Sequence, residues 1–303
     1  MKKILYSLIF AFALTTFFAC ERDPIDKNNS ILNIKERPMT EFDYWLRDNF
    51  LLEYNIRLLY RFEDMEANPR FNLLPTRLRN AEVMAQIIRH VWLDAYDEVA
   101  GPDFTRRYSP RLVKLIGSNA YLEHGRILGT AEGGLKVTLF NVNTVDEHNL
   151  NPVRLNNEFF HTIHHEVGHI LHQTRMFSED FQAISNAYYV MGSWHQYSLT
   201  EALRLGFITQ YSRFNHYEDF VELYSFFITN TPEEWARRLA IARTGAPPSA
   251  PIGVTGYHII NLKMSIVQAY FRDAWGLCIV QMRDVTLRRS AEVPTLEFLT
   301  FNR

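Results

Sequence analysis

His165-Glu166-Val167-Gly168-His169 is the stretch on which the fold and chemistry of this chain turn. It has the form H-E-x-x-H and lies inside an apolar-periodic run from Phe159 to Gln173. On a helix, His165 and His169 stand one turn apart, about 6 Å along the axis and on one face. Two imidazoles so placed can occupy two corners of a zinc tetrahedron. Glu166 then points beside the ion. There it can take a proton from a bound water and pass it to a leaving amine. A third protein ligand must come from elsewhere in the chain.

Several spacings fail for that ligand. A thermolysin-like arrangement finds no acid where it needs one: Glu179 and Asp180 come too early and Glu201 too late. The extension H-E-x-x-H-x-x-G-x-x-H fails because His172 and Arg175 stand at its Gly and His positions. The remaining candidate is Tyr217-Glu218-Asp219-Phe220-Val221-Glu222, a helical segment with Glu218 and Glu222 one turn apart on one face. Glu218 would bind the metal, with Glu201 its main competitor. Glu222 would stand behind it and hydrogen-bond a ligating histidine, fixing the tautomer. Tyr211 precedes this segment, and its phenol could stabilise the oxyanion of a tetrahedral intermediate. His161 and His172 read as flanking the site or hydrogen-bonded in the core, and His164 as facing the opposite side. Cys278 reads as a buried thiol in an apolar helix.

The N-terminus reads as a targeting segment. Lys2 and Lys3 precede an apolar run, Ile4 to Phe18, too short and wrongly flanked for a stable membrane span. Phe17-Phe18-Ala19-Cys20 resembles a bacterial lipobox, with cleavage after residue 19 and lipid on Cys20. The competing reading is an ordinary secretory signal cut at a nearby small residue. Residues 20–38 would then be a tether. Its acidic start, Glu21 to Asp26, resembles the surface-export signal of Bacteroidetes lipoproteins.

The 303 residues carry a formal charge of −2, with no dominant basic block, which argues against nucleic acid as a partner. Only two cysteines are present, and Cys20 is one of them, so no disulfide framework holds the fold. Stability must come from a core that an aromatic content of 14% can supply. No heptad or amphipathic stripe points to an oligomer, so a monomer is expected.

The pattern predicts an α+β fold. Residues 39–150 form a small sheet-containing part and residues 151–303 a mainly helical part that carries the site. Phe42 to Leu51 reads as a short helix, and Tyr54 to Phe62 as a half-buried strand with Ile56, Leu58, Tyr60 and Phe62 on one face. Asn68-Pro69 ends it, and a helix follows from Arg79 to Asp97. Arg111 to Ile116 and Leu135 to Asn141 are further strands. The second, introduced by Gly133-Gly134, is expected at the sheet edge near the cleft, where a peptide could add as a strand. The metal helix is expected to start at Asn156 or Asn157. Thr231-Pro232-Glu233-Glu234 starts another helix. Gly245 to Pro251 is a loop, and Ile259 to Trp275 a helix closed by Gly276.

The set Tyr-x6-Glu-x3-Glu after H-E-x-x-H resembles the gluzincin arrangement of the anthrax lethal factor catalytic domain. More closely, the lipobox, His161 to Gln173 and Tyr211 to Glu222 resemble the zinc-binding metallopeptidase lipoproteins of Bacteroidetes, associated with SusC/SusD-type nutrient import. The resemblance implies a zincin fold, one zinc ion per chain held by His165, His169 and Glu218, Glu166 as general base, and Tyr211 at the oxyanion. It implies an outer-membrane lipoprotein, exposed at the cell surface if the acidic signal operates, acting on a peptide or glycopeptide beside a SusC/SusD-type transporter. The competing reading is a non-catalytic accessory or binding lipoprotein of that import complex. A third is a metal-dependent hydrolase of a non-peptide amide.

Overall fold

The computed structural model describes residues 38–62, 71–122, 125–127, 129–132, 135–148 and 150–302. The signal segment 1–19, Cys20, the tether apart from residue 38, the Asn68-Pro69 break and Gly133-Gly134 lie outside the described residues.

The expected α+β architecture is found, with strands confined to the N-terminal half and helices filling the rest. Strand β1 (Arg57–Leu59) pairs in parallel with β2 (Leu112–Leu115). A short antiparallel pair follows, β3 (Ala120–Leu122) with β4 (Gly125–Ile127), and then β5 (Gly129–Glu132) and β6 (Lys136–Leu139). Strand β6 pairs in parallel with β2 and antiparallel with β5, giving the order β1-β2-β6-β5.

This order corrects one expectation. Leu135 to Asn141 does not form the sheet edge, because β6 lies between β2 and β5, and the antiparallel β5 takes the edge. Successive residues Val137, Thr138 and Leu139 are all buried, as both faces of an interior strand must be. Farther back, Ile56, Leu58 and Tyr60 turn inward as their alternation predicts. Phe62 packs instead on a small satellite cluster of Ile116, Ala120 and Phe140.

Among the described residues three helical runs contain a π turn: Arg47–Leu51, Arg89–Leu93 and Asn156–Phe160. The third sits directly before the histidine helix, His161–Thr174. The run begins at Pro152, earlier than expected. Asn151 caps it by accepting from the Arg154 amide, and proline fits the first helical position. In the π turn the His161 amide bonds back to the Asn156 carbonyl, which inserts an extra residue and re-aims everything after it.

The acidic helix, His216–Thr229, packs against the histidine helix. Asn215 starts it by accepting from the Tyr217 and Glu218 amides. Gly168 lets the two helices approach, since a Cβ there would lie 3.0 Å from Val221 Cγ1. One continuous core joins Val113, Val137 and Leu139 of the sheet to Phe159, Ile163 and Val167 of the histidine run. Thr231 caps the helix Pro232–Ala242 by accepting from the Glu234 amide. Gly276, at φ 68°, closes the helix Gly256–Trp275. Cys278 does not lie buried inside a helix. It is exposed and extended at the start of Ile279–Glu292, where Leu277 takes the inward position.

Candidate metal centre

His165 Nε2, His169 Nε2 and Glu218 Oε2 converge: the two nitrogens are 3.1 Å apart, and the oxygen lies 3.1 Å from one and 3.2 Å from the other. A tetrahedral ion with bonds of about 2.0–2.1 Å needs its ligand atoms about 3.3 Å apart, so the triangle has the right size. These three residues also form one of the groups able to hold a metal ion among the described residues.

The tautomers make that fit more pointed. Glu222 Oε1 is 2.8 Å from His165 Nδ1, and an ionised carboxylate only accepts. The His165 proton therefore sits on Nδ1, and its Nε2 lone pair faces the other two atoms. His169 Nδ1 is 2.9 Å from His172 Nε2; with its proton there, a second lone pair points inward. Two imidazole lone pairs and a carboxylate oxygen at such distances repel unless a positive centre lies between them.

The electrostatics agree. Burial alone would push the His165 pKa down, but the carboxylates of Glu218 and Glu222 lift it to about 10, so with no ion bound a proton on Nε2 would stand in for the positive centre. In that protonated state burial raises the Glu218 pKa, but hydrogen bonds from the Nε2 atoms of His165 and His169 outweigh it and hold it at about 2. Glu222 is likewise held well below the usual carboxylate range by His161 and His165 against the effect of burial. All three groups are poised to share positive charge.

Glu166 is buried, and its Oε2 has no hydrogen-bond partner. Burial raises its pKa, opposed by His165 and His169 and reinforced by Glu218 and Glu222. Tyr211 lies on a short 3-10 turn, Tyr211–Arg213, with its ring 6.0 Å from that of His165. Burial and the neighbouring carboxylates, Glu218 first among them, keep its hydroxyl protonated. Trp194 packs edge-on against it at 5.1 Å.

Glu201, the competitor for third ligand, stands apart. It is exposed and closes a capping box with Ser198 at the start of Leu199–Arg204. The pattern Ser198-x-x-Glu201 could have assigned it that duty. His164 faces away as expected, buried against Tyr96, whose hydroxyl also bonds that of Tyr224. His161 bonds Glu222 through Nε2 at 2.9 Å, and His172 orients His169. Sequence reasoning missed Thr209, whose hydroxyl donates to Glu222 Oε2 at 2.6 Å. No spacing rule marks a lone threonine for that position.

The sequence profile of a family described as "Putative zinc-binding metallo-peptidase" matches residues 35–279. A solved structure is also similar, the crystal structure of a putative zinc-binding metallo-peptidase from Bacteroides caccae ATCC 43185. It shares 36% identity, with a TM-score of 0.72 over 84% of this chain and 94% of that one. No curated protein matches the sequence.

Proposed function

This chain belongs to the putative zinc-binding metallo-peptidase family, and from that premise we propose that it is a zinc-dependent peptidase of gluzincin type. The observation that carries the reading is the convergence of His165 Nε2, His169 Nε2 and Glu218 Oε2 beside a buried, unpartnered Glu166. His165, His169 and Glu218 would hold one zinc ion. Bound there, zinc polarises the substrate carbonyl and makes a water acidic enough to deprotonate near neutrality.

The remaining steps belong to the chain's own groups. Glu166 receives the water proton on its carboxylate, and its raised pKa suits it to hand that proton to the departing amine. The protonated Tyr211 hydroxyl donates to the carbonyl oxygen as negative charge builds there. Glu222 holds the His165 ring and its tautomer, and is itself braced by His161 and Thr209. An ion serving structure alone has no use for a general base, which favours catalysis over the accessory reading. We further propose that Cys20 carries a lipid that holds the chain at the outer membrane, beside a nutrient transporter.

Elemental analysis with two variants tests the reading. The parent and Glu166→Gln should each carry about one zinc per chain, with only the parent hydrolysing peptides. His169→Ala should lose the metal. An active Glu166→Gln would reject the mechanism, and a zinc-replete His169→Ala would reject the ligand set.

A further inference from the structure

Trp194 stands apart from the other tryptophans. Trp92 is buried in the core, and Trp45, Trp235 and Trp275 pack against it. Among the described residues Trp194 joins neither hydrophobic cluster. It is only partly buried, on the 3-10 turn Met191–Gln196. Its ring meets that of its neighbour His195 and, edge-on at 5.1 Å and 78°, that of Tyr211. A tryptophan has a large apolar surface to bury, so one placed outside the core and against Tyr211 serves Tyr211 rather than the core.

The segment around Trp194 is tied to the turn that carries Tyr211. The Val190 amide donates to the Arg213 carbonyl at 2.8 Å, and the Met191 amide to the Phe214 carbonyl at 3.1 Å. In return Arg213 donates to the Tyr188 carbonyl and lies 3.9 Å over the Tyr197 ring, while Gln210 donates to the Tyr197 carbonyl. Residues 188–197 thus clasp residues 210–214 at both ends of the segment. Met191 is held at φ 45°, a left-handed backbone that methionine rarely adopts. Such a conformation persists only where its surroundings over-determine it, and it gathers at functional sites.

Tyr211 in turn faces the metal centre. Its ring lies 6.0 Å from that of His165. After burial, Glu218 bears most on its hydroxyl, ahead of Glu222 and Glu166. A hydroxyl that is to meet an oxyanion has to be aimed before the charge develops. The turn Tyr211–Arg213 is three residues long and fixes a backbone, not a side-chain rotamer. The edge of Trp194 supplies the wall that the turn lacks.

We infer that Trp194 is a positioning residue: its ring, delivered by the clasp 188–197, holds the Tyr211 phenol toward the metal centre. The inference rests on the peptidase reading with Tyr211 at the oxyanion. Trp194 acts only through Tyr211, so substrate affinity is indifferent to it.

Steady-state kinetics of the zinc-loaded chain test this in a double-mutant cycle. Tyr211→Phe should lower kcat about 100-fold. Trp194→Ala should lower kcat about tenfold, with zinc retained and KM within about twofold, because the donor remains but is less often aligned. Trp194→Phe, which keeps an aromatic edge, should recover most of the loss. In the Tyr211→Phe background Trp194→Ala should cost less than about twofold, since no hydroxyl is left to position. An undiminished loss in that background, a loss expressed in KM, or parental kcat in Trp194→Ala would overturn the inference. Loss of zinc from Trp194→Ala would overturn it too, by making the residue structural. Gln210→Met cuts the clasp at Tyr197 and spares Trp194. It should lower kcat and be equally silent beside Tyr211→Phe.

A second measurement needs no turnover. Tyr211 carrying a meta fluorine is followed by fluorine NMR. In the zinc-loaded parent the two edges of the ring should give separate resonances, the mark of a ring that flips slowly. Trp194→Ala should merge them and Trp194→Phe should not. Separate resonances in Trp194→Ala would overturn the inference. If the parent cleaves no peptide, the peptidase reading fails, and the fluorine spectra still decide whether Trp194 holds the Tyr211 ring.

Discussion

Glu222 Oε1 lies 2.8 Å from His165 Nδ1 and 2.9 Å from His161 Nε2, so one carboxylate oxygen fixes two histidine rings. Its second oxygen accepts from Thr209 at 2.6 Å. The carboxylate is thus fully engaged, with His165 Nε2 free to face inward. Replacing a carboxylate that orients a ligating histidine usually costs about 10–100-fold in metal affinity. Glu222→Gln keeps the shape but removes the charge. It should therefore weaken zinc binding by about that factor while the chain stays folded, as competition with a chromophoric chelator would measure. Parental affinity in that variant would detach Glu222 from the ligand set.

Gly168 makes a separate prediction about how Glu218 reaches the histidines. The two site helices touch where Gly168 meets Val221, with 3.0 Å left for any Cβ. Gly168→Val would place branched carbons against Val221 and Tyr224, forcing the acidic helix outward. Neither His165, His169 nor Glu218 changes, yet the 3.1–3.2 Å triangle should open. Zinc content after dialysis should drop well below one per chain. Retention of full zinc would show that the helices can separate without moving Glu218.

The side chains that converge were legible in the sequence because helix geometry is local. H-E-x-x-H and Glu218-x3-Glu222 each encode a face without reference to the rest of the fold. The packing of those two faces is long-range, yet the carboxylate's chemistry and the failure of other spacings narrowed the choice. What was not legible depends on tertiary context. A π turn leaves no periodic signature of its own, so the sequence puts the start of the histidine run at Asn156 or Asn157 while the fold starts it at Pro152. The edge of a sheet depends on which strands pair, and Gly129–Glu132 has little apolar content to announce a strand. Thr209 acts through a hydroxyl aimed by the fold, and Cys278 falls outside a helix because the left-handed turn at Gly276 ends one helix and the next starts only at Ile279.

Beside the centre, Lys263 and Asp219 form an ion pair at 2.5 Å with both side chains 1% exposed. Lys263 also donates to the Gly206 carbonyl at 3.0 Å, and Tyr189 donates to Asp219 at 3.0 Å. Burial raises the Asp219 pKa to about 6 despite the lysine, and burial lowers that of Lys263. Removing one partner strands the other charge, a loss of about 3–5 kcal/mol. Lys263→Met should show it in urea unfolding, and adding Asp219→Leu should recover much of it. A single variant as stable as the parent would mean that water or a rearranged neighbour solvates Asp219.

The last prediction concerns acid. His164 is fully buried, with Nδ1 3.2 Å from the Tyr96 hydroxyl and Nε2 unpartnered. Burial, helped by His161, pushes its pKa down from 6.5 to about 3. A depressed folded-state pKa means that the unfolded chain binds the proton first. The neutral ring is therefore fully compatible with folding above pH 6.5, and the stability it permits is lost as pH falls from there toward 3. Between pH 7 and 5 this single residue should remove roughly 2 kcal/mol. His164→Gln can still bond Tyr96 but cannot titrate. Chelator-treated parent and variant, unfolded in urea at both pH values, should differ in their pH dependence by about that amount, the parent losing more. Equal losses would show that His164 takes up a proton inside the fold, with the Tyr96 hydroxyl accommodating its charge.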